Sequence, residues 1–295
     1  MPSPDRPPPP IPYVRDMDSR YGEAVEVGSG LRRLTCRNPG PFTFLGTNSF
    51  IVGRGEVAVV DPGPRDEAHL AALLRALDGE RVAAVLVTHT HADHSPGARP
   101  FAEAAGGAPV YGLPDPAADG GESAGDPDFR PDVRLADGQR VAGEGWSLEP
   151  VFTPGHASNH VAYALADGVL LSGDHVMGWS TSIVSPPDGD MDAYLSSLDR
   201  VIARGFRTLH PAHGPPIAEP APFLEALRAH RLHREVQVCG AVAAGLDRIP
   251  AMVAALYADV DPRLHPAAAR SVEAHLIRLV RRGEVRVEDG RYLPA

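Results

Sequence analysis

This sequence contains no lysine, only two cysteines and no long apolar run. The chain has two cysteines, Cys36 and Cys239, too few for a disulfide framework or a cysteine-rich zinc site. All 28 basic residues are arginine, which excludes a mechanism that depends on a lysine amine. No run of about 18 apolar residues occurs, and the amino terminus lacks the apolar segment of a secretory signal. We therefore expect a cytoplasmic protein that does not enter a membrane.

Positive charge is also in short supply. The 28 basic residues face 38 acidic ones, which gives a formal net charge of -10. This balance disfavours a dedicated nucleic-acid-binding protein. Residues 221–295 are the exception, with 11 arginines against nine acids and a net charge of +2.

The 295 residues are enough for about two domains. Residues 1–20 contain a proline run and are predicted to form a flexible arm. In residues 21–219 apolar strands alternate with amphipathic helices, of which Glu67–Leu77 has the clearest helical spacing. Residues 220–295 contain three predicted helices and a hairpin around Asp289-Gly290, and they are predicted to form a separate small domain.

The strongest chemical signal is the segment Thr88–His94, which reads Thr-His-Thr-His-Ala-Asp-His. It follows an apolar run, Val82–Thr88, that is typical of a buried strand. Alternate imidazoles in such a segment can converge on one metal ion, and the adjacent Asp93 and His94 can reach a second one. The pattern therefore predicts part of a binuclear metal centre.

Three more polar residues follow apolar strands, and each lies beside a glycine: His156, Asp174 and His213. One such residue alone is usually structural, but a set of this kind in one chain predicts a shared site at the strand ends. All the donors are nitrogen or oxygen atoms. Two divalent cations are therefore expected, most readily Zn²⁺, while Mn²⁺ and iron are compatible with the same donors.

The order of these motifs resembles that of the metallo-β-lactamase superfamily, over residues 30–217. The implied fold is of the α/β class: an αββα sandwich, followed here by a small C-terminal winged-helix-like helical domain. Further motifs and this C-terminal unit make the chain similar to the β-lactamase-like protein 2 branch. These further motifs are Asn38-Pro39-Gly40, Gly46-Thr47-Asn48 and Asp61-Pro62-Gly63.

The resemblance implies a role for each metal ligand. His89, His91 and His156 would bind the first metal. Asp93, His94 and His213 would bind the second. Asp174 would bridge the two ions.

Two adjacent cations can lower the pKa of a bridging water toward neutrality, which yields a hydroxide that attacks a carbonyl or phosphoryl centre. Asp93 is a candidate to orient this water or accept a proton. Asp61 either orients a ligand histidine or only begins a Pro-Gly turn. His160 either faces the substrate or is structural.

The favoured substrate is a small molecule, an acyl ester or thioester, because the apolar loop Pro41–Leu45 is expected near the site. Antibiotic hydrolysis is disfavoured, because antibiotic-destroying members of the superfamily typically carry Cys or Ser where this chain has Asp174.

Two alternatives involve nucleic acid. The first is cleavage of single-stranded RNA, an activity of the resembled branch, in which Arg278, Arg281 and Arg282 would contact phosphates. These arginines can equally stabilise a helix end, and the acidic segment 115–128 disfavours RNA. The remote alternative is a DNA-binding regulator with a metal-binding sensor domain. A homo-oligomer formed through residues 220–295 is also possible.

Overall fold

The computed structural model describes residues 7–116 and 125–295. The first six residues of the predicted arm and most of the acidic segment therefore lie outside the described residues. The first sheet has seven strands in the order β1 to β7. Its strands are β1 (Val25–Gly28), β2 (Leu31–Thr35), β3 (Asn48–Arg54), β4 (Glu56–Val60), β5 (Arg81–Leu86), β6 (Val110–Gly112) and β7 (Val133–Arg134).

The second sheet has five strands in the order β12-β11-β10-β9-β8. Its strands are β8 (Val141–Gly143), β9 (Trp146–Phe152), β10 (Val161–Leu165), β11 (Val169–Gly173) and β12 (Thr208–Pro211). Helices α1 (Glu67–Leu77) and α2 (Ala98–Ala104) cover the first sheet. Helices α3 (Met191–Arg204) and α4 (Pro220–Ala243) cover the second. The result is the expected four-layer αββα sandwich.

Apolar side chains on both faces of each sheet bind the layers together. Between the sheets, Phe50 and Leu86 pack with Leu148 and Tyr163. The Tyr163 hydroxyl donates a hydrogen bond of 2.6 Å to the Val87 carbonyl, which joins the second sheet to the first. Strands buried on both faces read as continuous apolar runs, and this explains why the sequence alone identified them.

Most predicted elements are present. The predicted helix Glu67–Leu77 has the same bounds in the structure: Asp66 caps its first turn, and Asp78 ends it in a left-handed conformation. The sequence analysis missed β1, β6 and β7. Strands of two to four residues are too short to show a periodicity, and only their pairing in the sheet defines them.

The flexibility of residues 1–20 stays a prediction, but the residues around Tyr13 contact the body of the protein. The Val14 amide donates to the Gly178 carbonyl at 2.8 Å, and the Tyr13 ring packs edge-on against Phe223 at 6.2 Å. Ile11 also packs against the core of the second sheet. Apolar residues inside a proline-rich segment can fix it to the surface without any regular structure.

The C-terminal unit continues directly from α4. It comprises α5 (Ile249–Leu256), α6 (His265–Arg281) and the hairpin β13 (Val285–Glu288) and β14 (Arg291–Pro294), which turns at Asp289-Gly290 as predicted. No helix within residues 7–116 and 125–295 is both long and apolar enough to span a membrane.

Helix α4 belongs to two hydrophobic cores. Its first half contributes Phe223 and Leu227 to the core beside the second sheet. Its second half contributes Val238 and Val242 to the core of the C-terminal unit. The helix therefore couples the stability of the sandwich to that of the C-terminal unit.

We expect Leu227→Ala to lower the free energy of unfolding by about 2–5 kcal/mol, because it leaves a cavity in the sandwich core. The matched control is Val236→Ala on the same helix, whose side chain is exposed and whose replacement should cost less than about 1 kcal/mol. Urea denaturation measures both. Equal costs would mean that the first half of α4 is not part of the sandwich core.

Candidate metal centre

The polar segments predicted to bind metal meet at one edge of the sandwich. Strands β4 and β5 are parallel neighbours in the first sheet, and β11 and β12 are parallel neighbours in the second. Their carboxyl ends point the same way, and the chain continues from each into a polar residue. The residues in question are Asp61, the segment Thr88–His94, Asp174 and His213.

Three histidines form the first cluster. The Nε2 atom of His89 lies 2.8 Å from the Nδ1 atom of His91, and the Nε2 atom of His156 lies 3.0 Å from that same Nδ1 atom. These are three of the residues that the resemblance assigns to one metal. Their ring nitrogens face one point, as ligands of one cation would.

Asp93, His94 and His213 form the second cluster. The Asp93 Oδ2 atom lies 3.5 Å from His94 Nε2 and 3.2 Å from His213 Nε2. Asp174 lies between the clusters: its Oδ1 atom is 3.3 Å from His213 Nε2, and its Oδ2 atom is 3.6 Å from His156 Nε2. The two clusters are thus consistent with a binuclear site.

Acceptors lie behind three of the imidazole rings, on the side away from the clusters. The Nδ1 atom of His94 donates to Asp61 at 2.9 Å, that of His156 donates to the Ile183 carbonyl at 2.6 Å, and that of His213 lies 3.2 Å from the Gly46 carbonyl. A proton held on Nδ1 leaves the Nε2 lone pair directed at the cluster. This arrangement is typical of metal-binding histidines.

Two buried atoms in the centre lack a hydrogen-bond partner. They are Nε2 of His94 and Oδ1 of Asp174, and both face the second cluster. Buried polar atoms without a partner are costly, and a nitrogen lone pair cannot pair with a carboxylate oxygen unless a proton or a metal lies between them. The donor set therefore fits a divalent cation.

The pKa values of histidines shift in opposite directions in the two clusters. Burial, together with the neighbouring imidazoles, lowers the pKa of His89 well below its usual value and that of His91 to about 3. Burial also lowers the pKa of His213, but the carboxylates of Asp174 and Asp93 outweigh it and raise this pKa to about 9. The carboxylates of the second cluster thus attract positive charge strongly, while the first cluster offers neutral nitrogen ligands.

The structure does not place His160 where a substrate could reach it. The residue is fully buried beneath Asp174. Its Nε2 atom accepts a 3.0 Å hydrogen bond from the Asp174 amide, and its Nδ1 atom lies 2.8 Å from Thr153 Oγ1. Both ring nitrogens are therefore engaged, and the expectation of a substrate-facing histidine is corrected to that of a residue that positions Asp174.

Gly173 makes this contact possible. Its φ angle is +53°, and a Cβ atom there would lie 2.5 Å from His160 Nε2 and 3.1 Å from Thr88 Cβ. Only glycine lets the backbone approach the histidine so closely. The Gly-Asp pair found in the sequence thus has a steric cause.

Asp61 does more than begin a turn. Its carboxylate accepts hydrogen bonds from the Thr88 amide and the Thr88 hydroxyl, each at 2.7 Å, and also from His94 Nδ1. The Thr88 hydroxyl lies 3.0 Å from Nδ1 of His89. Asp61 therefore orients one histidine directly and a second one through Thr88.

Above the two clusters lies a pocket of about 580 Å³. We call it the catalytic pocket. Its floor includes His91, Asp93, His156, Asp174 and His213, and its walls include Phe42, Thr43, Ile183, Pro186, Pro187 and Arg270. Phe42 belongs to the apolar loop that was expected near the site, and its side chain is half exposed at the pocket.

The sequence analysis gave no role to several residues of the site. Thr47 lies with its hydroxyl 3.3 Å from Asp93 Oδ2, and Arg270 reaches the pocket from α6, where its Nε atom donates to Ser185 Oγ at 3.0 Å. Thr47 belongs to a quoted family motif, which was the available signal. Arg270 and the Ile183 carbonyl had no signal, because only the tertiary structure brings them to the metal ligands.

We expect Asp61→Asn to weaken metal binding at the second cluster about 10- to 100-fold, because the amide nitrogen cannot accept the hydrogen bond from His94. Calorimetric titration of the metal-free protein with Zn²⁺ measures the affinity. Asp78→Asn is the matched control, since Asp78 also has a positive φ angle but ends α1. Unchanged affinity in Asp61→Asn would contradict the orienting role.

Known proteins resemble this chain along most of its length. Residues 42–213 match the profile of the Metallo-beta-lactamase superfamily, and residues 249–291 match that of the Beta-lactamase associated winged helix domain. The Beta-lactamase-like protein 2 homolog of Drosophila melanogaster is 32% identical over 281 residues, which cover 88% of this chain and 91% of that protein.

Two further proteins are similar. Atrochrysone carboxyl ACP thioesterase of Aspergillus chevalieri is 32% identical over 239 residues, which cover 79% of this chain and 69% of that enzyme. The crystal structure of a Beta-lactamase domain protein from Burkholderia ambifaria superposes with a TM-score of 0.79 at 27% identity, covering 95% of this chain and 96% of that one. The chain therefore belongs to the metallo-beta-lactamase superfamily of hydrolases and carries the winged-helix domain associated with it.

Proposed function

We propose that this protein is a binuclear metal hydrolase that cleaves a small acyl ester or thioester. The observation that carries the proposal is the convergence of histidine and aspartate donors on the floor of a pocket whose walls are largely apolar. Such a pocket suits an acyl chain, with its reactive carbonyl directed at the metal centre.

Each ligand has a proposed task. His89, His91 and His156 would hold one cation. Asp93, His94 and His213 would hold the other, and Asp174 would serve as a ligand to both. When bound, the two cations supply a hydroxide nucleophile at neutral pH and charge to stabilise the oxyanion of the reacting carbonyl. We propose zinc for both positions, and manganese or iron would fit the same donors.

Asp93 is the proposed catalytic carboxylate. Its side chain is partly exposed to the pocket, whereas Asp174 is nearly buried. Thr47 lies within hydrogen-bonding distance of one Asp93 oxygen and limits its rotation. Asp93 is therefore placed to orient the attacking water and to accept a proton from it.

A thioester is the favoured substrate within this class. The similar protein from Aspergillus chevalieri is named as a thioesterase. The catalytic pocket has Phe42, Ile183 and two prolines in its walls, and Arg270 is the arginine that lines it. An extended polyanion would find few cations in these walls.

Cleavage of RNA is disfavoured by the arginines that were expected to bind phosphate. Arg278 pairs with Asp192 and Glu235, and Arg281 pairs with Asp190. Arg282 also pairs with Glu284. These guanidinium groups are already neutralised within the chain, which weakens both the RNA alternative and the DNA-binding alternative.

The cytoplasmic location, and a homo-oligomer through the C-terminal unit, stay predictions of the sequence. The ion pairs from α6 to Asp190 and Asp192 suggest a first use for this unit, which is to cover the second sheet and the catalytic pocket.

We expect His89→Ala to lose metal and to lower thioester turnover more than about 100-fold, which exceeds the usual cost of losing only an orienting partner. Metal analysis, a panel of S-acyl thioesters and a single-stranded RNA are compared on the same preparations. His265→Ala in the C-terminal unit is the control and should behave as the unaltered protein, because its ring lies beside the Val260 carbonyl and belongs to neither metal-binding cluster.

Thioester turnover retained by metal-free His89→Ala would contradict the metal mechanism. RNA cleavage that depends on His89, with no thioester turnover, would contradict the proposed substrate and favour the endoribonuclease alternative.

A further inference from the structure

A second pocket, of about 340 Å³, opens beside the catalytic pocket. We call it the arginine pocket. It lies between the segment 177–183, helix α4 and the C-terminal unit, and Tyr13 of the N-terminal arm forms part of its rim. Phe42 and Ile183 line both pockets, so that the two cavities share a wall.

The arginine pocket contains a buried guanidinium group without a carboxylate partner. Arg231 on α4 is 3% exposed. One of its terminal nitrogens donates to the Ser182 carbonyl, and its guanidinium group lies 5.1 Å from the centre of the Tyr194 ring. Its Nε atom has no hydrogen-bond partner, and none of the acidic groups in residues 7–116 and 125–295 forms an ion pair with it. A buried charge of this kind is costly unless an anion reaches it.

Two other nitrogens in the same walls are also without partners. They are Nε1 of Trp179 and Nδ1 of His230, both of them buried atoms. Arg234 adds a second guanidinium group, which lies 4.2 Å from the centre of the Tyr257 ring. Among the described residues, neither an aspartate nor a glutamate lines the pocket, and apolar side chains such as Met177 complete its surface. These features fit an apolar arm that ends in an anion.

The dipeptide Ser182-Ile183 links this pocket to the metal centre. The Ser182 carbonyl accepts the hydrogen bond from Arg231, and the Ile183 carbonyl accepts that from the metal-cluster residue His156. A ligand that lies across Ile183 would therefore extend from the metal ligands to the unpaired guanidinium group. One extended molecule could occupy both pockets.

We propose that the arginine pocket binds an anionic group, a carboxylate or a phosphate, at the end of the apolar arm of the substrate. This inference rests on the proposed thioesterase function, since the other end of the same molecule is the thioester at the metal centre. The anion can belong to the acyl chain or to the thiol part, and the chemistry that Arg231 recognises is the same.

Matched thioesters test the proposal and identify the source of the anion. Butyryl-pantetheine is compared with glutaryl-pantetheine, which carries a carboxylate on the acyl chain, and with butyryl-phosphopantetheine, which carries a phosphate on the thiol part. The metal-loaded protein should show the higher kcat/KM for one anionic member.

Arg231→Gln should lower the preference for that anionic member over butyryl-pantetheine, taken as the ratio of the two kcat/KM values, about tenfold or more. Arg228→Gln is the matched control, three residues earlier on α4, where the arginine pairs with Asp199 outside the pocket. Arg228→Gln should leave kcat/KM unchanged for all three substrates. Equal losses for the anionic and neutral members in Arg231→Gln would overturn the proposal.

A binding measurement separates this inference from the proposed reaction. Two thioethers, which cannot be hydrolysed, serve as ligands. One is S-butyl-phosphopantetheine, and the other is S-butyl-pantetheine with a carboxylate at the end of its butyl chain. Calorimetry should show one of them binding at least about tenfold more weakly to Arg231→Gln than to the unaltered protein. Ala267→Phe is a second test in case Arg231→Gln does not fold. It places a large side chain in the pocket and retains Arg231, and it should weaken the same binding.

Thioether binding that depends on Arg231, in a protein that hydrolyses no thioester, would support the pocket and contradict the reaction. Thioester turnover with no difference between the charged and neutral members would support the reaction and overturn the pocket assignment. Binding of single-stranded RNA alone, lost in both variants, would overturn the assignment to a thioester arm.

Discussion

The need to compensate charge inside a buried cluster of imidazoles and carboxylates dominates this structure. Ring nitrogens approach one another within 3.0 Å in the first cluster, and carboxylate oxygens face imidazoles across the second. Without cations between them, such groups would repel one another or leave buried atoms unpaired. Three features hold the donors in this arrangement. They are the ends of the two sheets, the acceptors behind the histidines and the close approach of Gly173 to His160. Cations bound between these donors would therefore stabilise the fold as well as supply the chemistry.

Helix α4 and the winged-helix domain both take part in the site as well as in the architecture. Helix α4 supplies apolar residues to the sandwich core and Arg231 to the pocket beside the metal-binding clusters. Helix α6 supplies Arg270 to the catalytic pocket and, through Arg278 and Arg281, ion pairs to the start of α3. The arginines of residues 221–295 therefore have two roles. Some pair with acids of the sandwich, whereas Arg231 is buried without an ion-pair partner among the described residues.

Much of the centre could be predicted because its ligands are local in sequence. The segment Thr88–His94 supplies four donors, and apolar strands before His156, Asp174 and His213 mark where those side chains must lie. The carboxyl ends of neighbouring parallel strands meet at one edge of a sheet, and residues that follow those ends are therefore brought together there. The sequence did not determine the orientation of His160, because a histidine four residues after a metal ligand can point toward the pocket or lie beneath it. The contacts with Thr153 and the Asp174 amide decide between them.

The sequence by itself determined the alternation of strands and helices, the strand ends and the set of donors, because burial and ligand chemistry each leave a direct pattern in the residue order. The sandwich itself was implied by the resemblance of the motifs to a known family. Only the tertiary structure decided which residues lie behind and around those donors. Ile183, Arg231 and Arg270 are distant in sequence from the residues that they contact, and no periodicity records such contacts. The proline-rich arm shows the same limit, because its composition does not indicate the contacts that Ile11 and Tyr13 make with the core. Packing between distant segments is set by shape and burial, which appear only once the chain has folded.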